Sequence, residues 1–323
     1  MIIRILITGI AGFAGKHLTS YLVGKEGNKI LGIDRSSKNF DLGDFPDEIE
    51  FVEADLTSRQ KIFDIIEKFK PDQIYHLAAQ SSVSYSWEDP IDTFRINVFG
   101  GIIILEALKV ICPECRILMA CTAEEYGEAD TSGKAIDEQF RIFPQNPYAI
   151  SKSALDFFSS VYYSAYKIQV FISRAFNHIG PDQSERFVCS DFARQIALIE
   201  DGKQEPAIWV GNIQSERDFL DVRDAVRAYD FIINKGTAGQ VYNVCSGRKF
   251  KISDLLDMLI SFSKRSDIKV KTDPKKLRAI DVKSMYGDNS KLKNHTGWVP
   301  GYSIETSLKD TLDYWRGKTG LKI

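Results

Sequence analysis

Cysteine is scarce: five in a chain of 323 residues do not make the disulfide framework of a small secreted protein. Long apolar runs are missing too. Ile102–Leu105 is only four residues, whereas a helix needs roughly 20 to cross a bilayer. The start, Met-Ile-Ile-Arg, runs directly into a strand pattern, with neither the charged opening nor the apolar core of a signal peptide. These absences lead us to expect a reduced, cytoplasmic protein with no membrane partner. A surplus of one charge is also lacking, with 42 basic against 44 acidic residues and a formal charge of −2. The densest basic stretch, Lys269 to Arg278, is interrupted by Asp273 and Pro274. Nucleic-acid binding, which needs a dense basic face, is therefore not expected.

The composition is that of a protein with a sizeable core, 44% hydrophobic and 27% charged. The length predicts about two domains. One cysteine pair, Cys112-Pro113-Glu114-Cys115, has CxxC spacing. It follows an apolar-rich helix instead of opening one, so no helix N-terminus lowers the thiol pKa. No second CxxC or nearby histidine completes a zinc site. The pair reads as a loop coincidence, and no metal is expected.

The first half alternates short β-branched runs with helical patterns. Ile2–Ile7, Lys29–Ile33, Glu50–Ala54, Gln73–Leu77, Arg116–Ala120 and Gln169–Arg174 read as strands, apolar on both faces as in a parallel sheet covered on both sides. Lys61–Phe69, Asp92–Lys109 and Ala149–Tyr166 read as helices between them. This alternation predicts an α/β fold, a doubly wound parallel sheet of Rossmann type, with a smaller α/β C-terminal substrate lobe. The boundaries expected are 1–177, with a return segment at about 218–246, for the dinucleotide-binding domain and 178–323 for the second lobe. A ligand cleft is expected between the two.

The first strand runs into Thr8-Gly9-Ile10-Ala11-Gly12-Phe13-Ala14-Gly15 and then an amphipathic helix. Glycines at 9, 12 and 15 allow a tight turn, close approach to a pyrophosphate and helix-on-strand packing, with the helix N-terminus facing the phosphates. Nineteen residues beyond Gly15 the second strand ends at Asp34, where a carboxylate accepts bonds from ribose hydroxyls. That carboxylate favours NAD, whereas Arg35 and Ser36 beside it suit the 2′-phosphate of NADP, so both coenzymes remain open with a lean to NAD. Asp55 and Leu56, closing the third strand, are positioned for the adenine.

Tyr148-Ala149-Ile150-Ser151-Lys152 sets Tyr148 and Lys152 on one helix face. Tyr21–Lys25 and Tyr163–Lys167 share the spacing, but only Tyr148 follows Asn146-Pro147, where a helix would begin. Upstream, the fifth strand ends in Cys121-Thr122-Ala123-Glu124-Glu125-Tyr126-Gly127. It brings a hydroxyl and a carboxylate to the carboxyl edge of the sheet, where ligands bind in open α/β folds.

Together with His76-Leu77-Ala78-Ala79-Gln80 and Asn97 with Gly100, these motifs resemble the extended short-chain dehydrogenase/reductase family over almost the full length. The resemblance implies that Tyr148 is the general acid or base and that Thr122 bonds the reacting oxygen. It further implies that Lys152 lowers the phenol pKa and holds the nicotinamide ribose. Gly9, Gly12, Phe13, Ala14, Gly15, Leu77, Ala78, Ala79, Gln80, Asn97 and Phe176 are its implied coenzyme contacts.

The second half resembles the nucleotide-sugar branch of that family. The residues are Arg174-Ala175-Phe176-Asn177-His178-Ile179-Gly180-Pro181, Asp191–Ile196, Arg217–Asp224, Tyr242–Gly247 and Leu277–Val282. The likeness implies a sugar-nucleotide substrate, GDP-linked, contacted by Ser81, Thr122, Glu124, Asn177, Val188, Arg217 and Arg278. In detail the segments resemble the GDP-6-deoxy-4-keto-mannose reductases. The alternative is a GDP-mannose 4,6-dehydratase, whose acid/base glutamate would be Glu124, or another nucleotide-sugar dehydratase or epimerase. A non-catalytic dinucleotide binder also remains open. The loop Pro181–Val188 lacks the dehydratases' arginine-rich run, and Asp191 stands where they carry a basic residue. Apolar residues surround most of the two helices Asp92–Lys109 and Ala149–Tyr166, and in the family such helices pair across a homodimer.

Overall fold

The computed structural model describes residues 2–38, 40, 49–128, 133–277 and 282–320. Strands β1 (Ile3–Thr8), β2 (Asn28–Asp34), β3 (Ile49–Glu53), β4 (Gln73–His76), β5 (Arg116–Thr122) and β6 (Gln169–Ala175) alternate with helices. The helices are α1 (Phe13–Val23), α2 (Arg59–Phe69), α3 (Val83–Glu88), α4 (Pro90–Phe94), α5 (Gly100–Ile111) and α6 (Pro147–Tyr166).

Beyond β6 the chain forms β7 (Asn177–Ile179), α7 (Val188–Glu200), β8 (Ala207–Val210), β9 (Glu216–Arg217), β10 (Phe219–Asp221), α8 (Val222–Lys235) and β11 (Val241–Val244). Then follow β12 (Phe250–Lys251), α9 (Ile252–Ser261), β13 (Lys269–Thr272), β14 (Ser284–Met285), α10 (Ser290–Thr296) and α11 (Ile304–Thr319).

The main sheet is seven-stranded and parallel in the order β11-β6-β5-β4-β1-β2-β3, a Rossmann-like doubly wound sheet. Its two faces bury separate apolar cores. Ile5, Ile7, Leu18, Leu22, Val226 and Tyr229 lie on the side of α1 and α8; Leu6, Ile62, Ile66, Ile104, Leu108 and Leu155 lie on the side of α2, α5 and α6. Each such side chain removed from water contributes about 1.5–3 kcal/mol. The crossover helices cover both faces, so the strands read as continuous apolar runs.

The reversal in strand order falls between β1 and β4, whose carboxyl ends diverge into the glycine loop and the segment after His76. That crevice is where such sheets bind ligands. Segment 222–244 returns to this sheet, supplying α8 and the edge strand β11.

One expected element is corrected. Asp92–Lys109 is not a continuous α-helix: α4 is capped by Asp89, whose side chain accepts the Asp92 N–H at 2.8 Å, and gives way to a π-helical turn, Arg95–Phe99, before α5 begins. Wide turns of this kind occur at functional sites, and this one turns Asn97 inward. Strand β13 was missed because its lysines read as a basic stretch; it pairs in parallel with β8 and is largely exposed. The smaller elements enclose a third core of Phe192, Ile196, Ile208, Leu255, Leu256, Leu308 and Leu312. No helix among the described residues is long and apolar enough to cross a membrane.

Candidate active site

The glycine loop is shaped for close approach. Gly9 has φ of +73°, and a Cβ there would sit 2.7 Å from the backbone of Ala78; one on Gly15 would sit 2.1 Å from the Gly9 carbonyl oxygen. The loop is thus packed against both α1 and the segment that follows β4. The N-cap of α1, Gly12, supplies no side-chain hydrogen bond, so the first N–H groups of the helix remain for an anion.

Thr8 and His76 share a hydrogen bond of 2.8 Å, and the Ala78 N–H donates to the Thr8 hydroxyl at 3.3 Å, joining β1 to the segment Leu77–Gln80. At the end of β2, Asp34 Oδ2 accepts the Ala11 N–H at 3.1 Å and Oδ1 accepts the Arg35 N–H at 2.7 Å. Arg35 is exposed, and the Ser37 N–H and hydroxyl both donate to Glu53 Oε1 at 2.8 and 2.7 Å.

Ala11, Phe13, Lys16, Ser81, Gln183 and Phe187 line an open cleft of about 980 Å³ beside the glycine loop, within the size range of ligand pockets. A salt bridge of 2.7 Å from Lys16 to Asp182, which also accepts the Tyr314 hydroxyl at 2.7 Å, ties α1 to α11 beside it. The cradle fits a nicotinamide dinucleotide: Gly9, Gly12, Phe13, Ala14 and Gly15 surround a free helix N-terminus, and Asp34 at the end of β2 is tied to the loop through the Ala11 N–H.

Other expected coenzyme contacts have partners within the protein. Asp55 Oδ1 accepts the Thr57 N–H and hydroxyl at 2.8 and 2.7 Å. Leu56 is buried. Asn97 accepts the Gln80 N–H at 2.8 Å and donates to the Gln80 carbonyl at 3.0 Å and the Ser151 hydroxyl at 2.9 Å. Asn97 therefore holds the segment Ala79–Gln80 against α6. Gln80 in turn donates to Ser82 and Thr93, both at 3.0 Å.

At the carboxyl end of β5, Thr122 is the N-cap of a 3₁₀ turn, Ala123–Tyr126. Its hydroxyl oxygen accepts the Glu124 N–H at 3.3 Å, and its own N–H donates to Glu125 Oε1 at 3.2 Å, closing a capping box. That bond leaves the Thr122 hydroxyl proton to be donated elsewhere, and Thr122 hydrogen-bonds with Tyr148.

Helix α6 opens on Asn146, whose side chain accepts the Ala149 N–H at 2.8 Å, followed by Pro147; this combination starts helices. Tyr148 therefore occupies the first turn, beside Thr122. Burial pushes its hydroxyl well above the ordinary phenol value, and a hydrogen bond with Thr122 pulls back in the other direction. Lys152, one turn on, is buried and donates to the Ala120 carbonyl at 2.7 Å; burial lowers its pKa. Glu124 Oε2 accepts the Asn146 side-chain N–H at 3.2 Å. Thr122, Glu124, Tyr148 and Lys152 thus come together at one edge. Tyr21 and Tyr163 lie elsewhere, the former with Lys25 on Asp230 at 2.6 Å.

Behind that edge is a cluster absent from the motif reading. Arg174 Nε lies 2.9 Å from Asp156 and 3.5 Å from Glu125, all fully or nearly buried. The guanidinium also donates to the Tyr126 hydroxyl at 3.2 Å. Cys121, Glu125 and Asp156 have ligand atoms within 4.8 Å of one another, but Arg174 already supplies positive charge there. Asp156 stands four residues past Lys152 on α6, and an arginine within the apolar run of β6 was the available signal. His76 is fully buried, and burial together with the Lys152 charge brings its pKa down to about 3, so its ring is neutral at physiological pH.

The remaining substrate candidates lie on several elements. Asn177 bonds the Asp218 carbonyl, and Arg217 Nη1 donates to the Glu216 carbonyl at 2.9 Å. Val188 begins α7, and Ser81 lines the cleft. Phe176 is buried against Tyr126, Cys245 and the backbone of Gly287. Arg278 lies outside the described residues. The thiols of Cys112 and Cys115 are both pushed up by burial, which disfavours thiolate chemistry, and all five cysteines are unbonded.

The model of the family described as GDP-mannose 4,6 dehydratase matches residues 6–311. A GDP-6-deoxy-D-mannose reductase of Pseudomonas aeruginosa is 33% identical over 98% of this chain and 98% of its own. A GDP-mannose 4,6-dehydratase of Yersinia enterocolitica is 30% identical over 94% and 91%. Among solved structures, RMD from Pseudomonas aeruginosa complexed with NADPH superposes with a TM-score of 0.86 at 32% identity, covering 98% of this chain and 99% of that one. A Thermus thermophilus UDP-glucose 4-epimerase complexed with NAD gives 0.86 at 27% identity, with 98% and 99% covered.

Proposed function

The chain belongs to the GDP-mannose 4,6-dehydratase family and is a nucleotide-sugar enzyme using a nicotinamide dinucleotide; within that family we propose that it reduces the 4-keto group of a GDP-4-keto-6-deoxy-mannose-type sugar nucleotide to GDP-rhamnose. The observation that carries this reading is the placement of Tyr148 in the first turn of α6, set by Asn146 and Pro147 and hydrogen-bonded to Thr122, with Lys152 one turn on. A reduction needs a proton donor beside the carbonyl oxygen, and a neutral phenol is one.

The bound coenzyme supplies the hydride for the keto carbon. Tyr148 gives its proton to the oxygen that gains the charge. Thr122, with its lone pair occupied by the Glu124 N–H, donates to the same oxygen and orients the sugar. Lys152 would hold the nicotinamide ribose, and its ammonium stabilises the phenolate left behind. Asn177, Val188, Arg217 and Arg278 would bind the sugar nucleotide, the arginines as bidentate donors to the diphosphate. The division of labour is residues 1–177 with 218–246 for coenzyme and 178–323 for the sugar nucleotide.

For the coenzyme we favour NADH. Asp34 and its β3 neighbour Glu53, held by Ser37, gather negative charge at the end of β2, and a carboxylate there repels a 2′-phosphate.

The assembly we favour is a homodimer. Phe99 on the π-helical turn, Val110 on α5 and Phe157 and Val161 on α6 leave more than half of each side chain's surface exposed, at 56%, 69%, 56% and 56%, and a second copy is the fitting cover. The unbonded cysteines support a cytoplasmic setting.

The second reading, a 4,6-dehydratase with Glu124 as acid/base, is favoured by the Asn146 bond that holds Glu124 at this same edge. Mass-resolved product analysis tests both. Gain of two hydrogens on the keto sugar nucleotide with stoichiometric NAD(P)H oxidation supports the reductase. Loss of water from GDP-mannose without net coenzyme use overturns it in favour of the dehydratase.

A further inference from the structure

Directly behind the catalytic edge, two carboxylates compete for one guanidinium in a space closed to water. Asp156 takes the shorter ion pair to Arg174, 2.9 Å against 3.5 Å for Glu125. Glu125 is 0% exposed, and its Oε2 has no hydrogen-bond partner. The groups facing Glu125 come from three neighbouring elements. From β5 there are Cys121 and the Thr122 N–H, from α6 Tyr148, Lys152 and Asp156, and from β6 Arg174, with Tyr126 next to it in its own turn. Lys152 spends its ammonium on the Ala120 carbonyl and makes no ion pair with Glu125. An ionised Glu125 would therefore be a buried charge with half a partner, which is unfavourable away from water; a protonated one is neutral, and its Oε1 still accepts from Thr122.

We propose that Glu125 is a positioning residue that works as a neutral, proton-bearing carboxyl, pinning the Thr122 main chain and so aligning the Thr122 hydroxyl with Tyr148. The contact runs through the capping box. Glu125 Oε1 holds the Thr122 N–H, Thr122 keeps its extended backbone, and its hydroxyl stays between the Glu124 N–H and the phenol. The charge state matters to the chemistry because negative charge on Glu125 makes Tyr148 a weaker acid. Burial and the Asp156 charge lift the Glu125 carboxyl to about 8. The neutral form thus prevails at physiological pH and is lost on the alkaline side, where proton donation by Tyr148 slows. The kinetic consequence rests on the reductase reading; the protonation state does not.

The experiment is infrared difference spectroscopy of wild type against Glu125→Gln across neutral to alkaline pH, with steady-state kinetics of wild type, Glu125→Gln and Glu125→Leu on the keto sugar nucleotide. The expected spectrum shows the carbonyl stretch of a protonated carboxyl at neutral pH in wild type only, fading around pH 8. The expected kinetics keep kcat of Glu125→Gln within about threefold at neutral pH and remove the alkaline fall near that pH. Glu125→Leu, which cannot accept from Thr122, loses about 30-fold in kcat with coenzyme KM unchanged.

A wild-type spectrum with no protonated carboxyl overturns the proposal, even if the enzyme turns over no keto sugar. So does an alkaline fall that Glu125→Gln retains. If Glu125→Leu does not fold, the spectrum and Glu125→Gln still decide.

Discussion

Asn177 and Asp218 are joined twice: the Asp218 main-chain carbonyl accepts the Asn177 backbone N–H at 3.2 Å and its side-chain N–H at 3.0 Å. The Asp218 carboxylate meanwhile accepts the Ser246 N–H and hydroxyl at 2.8 and 2.7 Å, the Gly247 N–H at 3.0 Å and the Gly287 N–H at 3.3 Å. The Asp218 main chain thus holds β7, and its buried side chain ties the segment carrying Arg217 to two loops. Replacing Asp218 with Ala takes the carboxylate acceptor from four donors, those of half-buried Ser246, of Gly247 and of buried Gly287. We expect a stability loss of about 3 kcal/mol and a rise of about tenfold in KM for the sugar nucleotide, with a smaller change in kcat. Thermal melts and steady-state kinetics check both.

Tyr148→Phe removes the proton donor and keeps the ring. Reduction of the keto sugar nucleotide should fall by about 10²–10⁴-fold in kcat, with KM little changed. Thr122→Val should cost less, about 10–100-fold, because one of two donors to the oxygen remains. Single-turnover rates with saturating coenzyme measure both.

Asp34→Asn removes the negative charge at the ribose end and keeps an acceptor for the Ala11 N–H. The ratio of kcat/KM with NADH to that with NADPH should move toward NADPH by about tenfold. A shift toward NADH would reverse the assignment of Asp34.

His76 is neutral in the folded protein, with its pKa lowered by burial from 6.5 to about 3, and His178 behaves likewise at about 4. The unfolded chain takes up these protons first. The stability they contribute is complete above about pH 6.5 and is lost as pH falls toward those folded values. The melting temperature should drop through this window, and His76→Gln should flatten part of the drop while lowering stability at neutral pH. Melts at several pH values test the slope.

Phe157→Glu with Val161→Glu puts charge on the apolar face shared by α5 and α6. We expect light scattering to give a dimer mass for wild type and half of it for the double variant at micromolar concentration. A monomeric wild type overturns the assembly.

The chemistry at the front of the site was legible from local pattern. The succession of strand, glycine loop and helix needs only neighbouring residues to be read and is present as β1, loop and α1, and Asn146-Pro147, which open α6, set Tyr148 apart from two other tyrosines with the same spacing. The parallel sheet followed from strands apolar on both faces. Other features needed the folded chain. The π-helical turn at Arg95–Phe99 lies in a stretch whose periodicity reads as plain helix, because Asn97 is drawn inward by Gln80 and Ser151, far away in sequence.

Glu125, Asp156 and Arg174 lie on three separate elements, and Asp218 gathers loops from Ser246 to Gly287. Which residues can do the chemistry is a property of side-chain type and local spacing, and the sequence by itself determined that. Which of them carries a proton depends on burial and on charges brought together across the chain, and only the tertiary structure decided it.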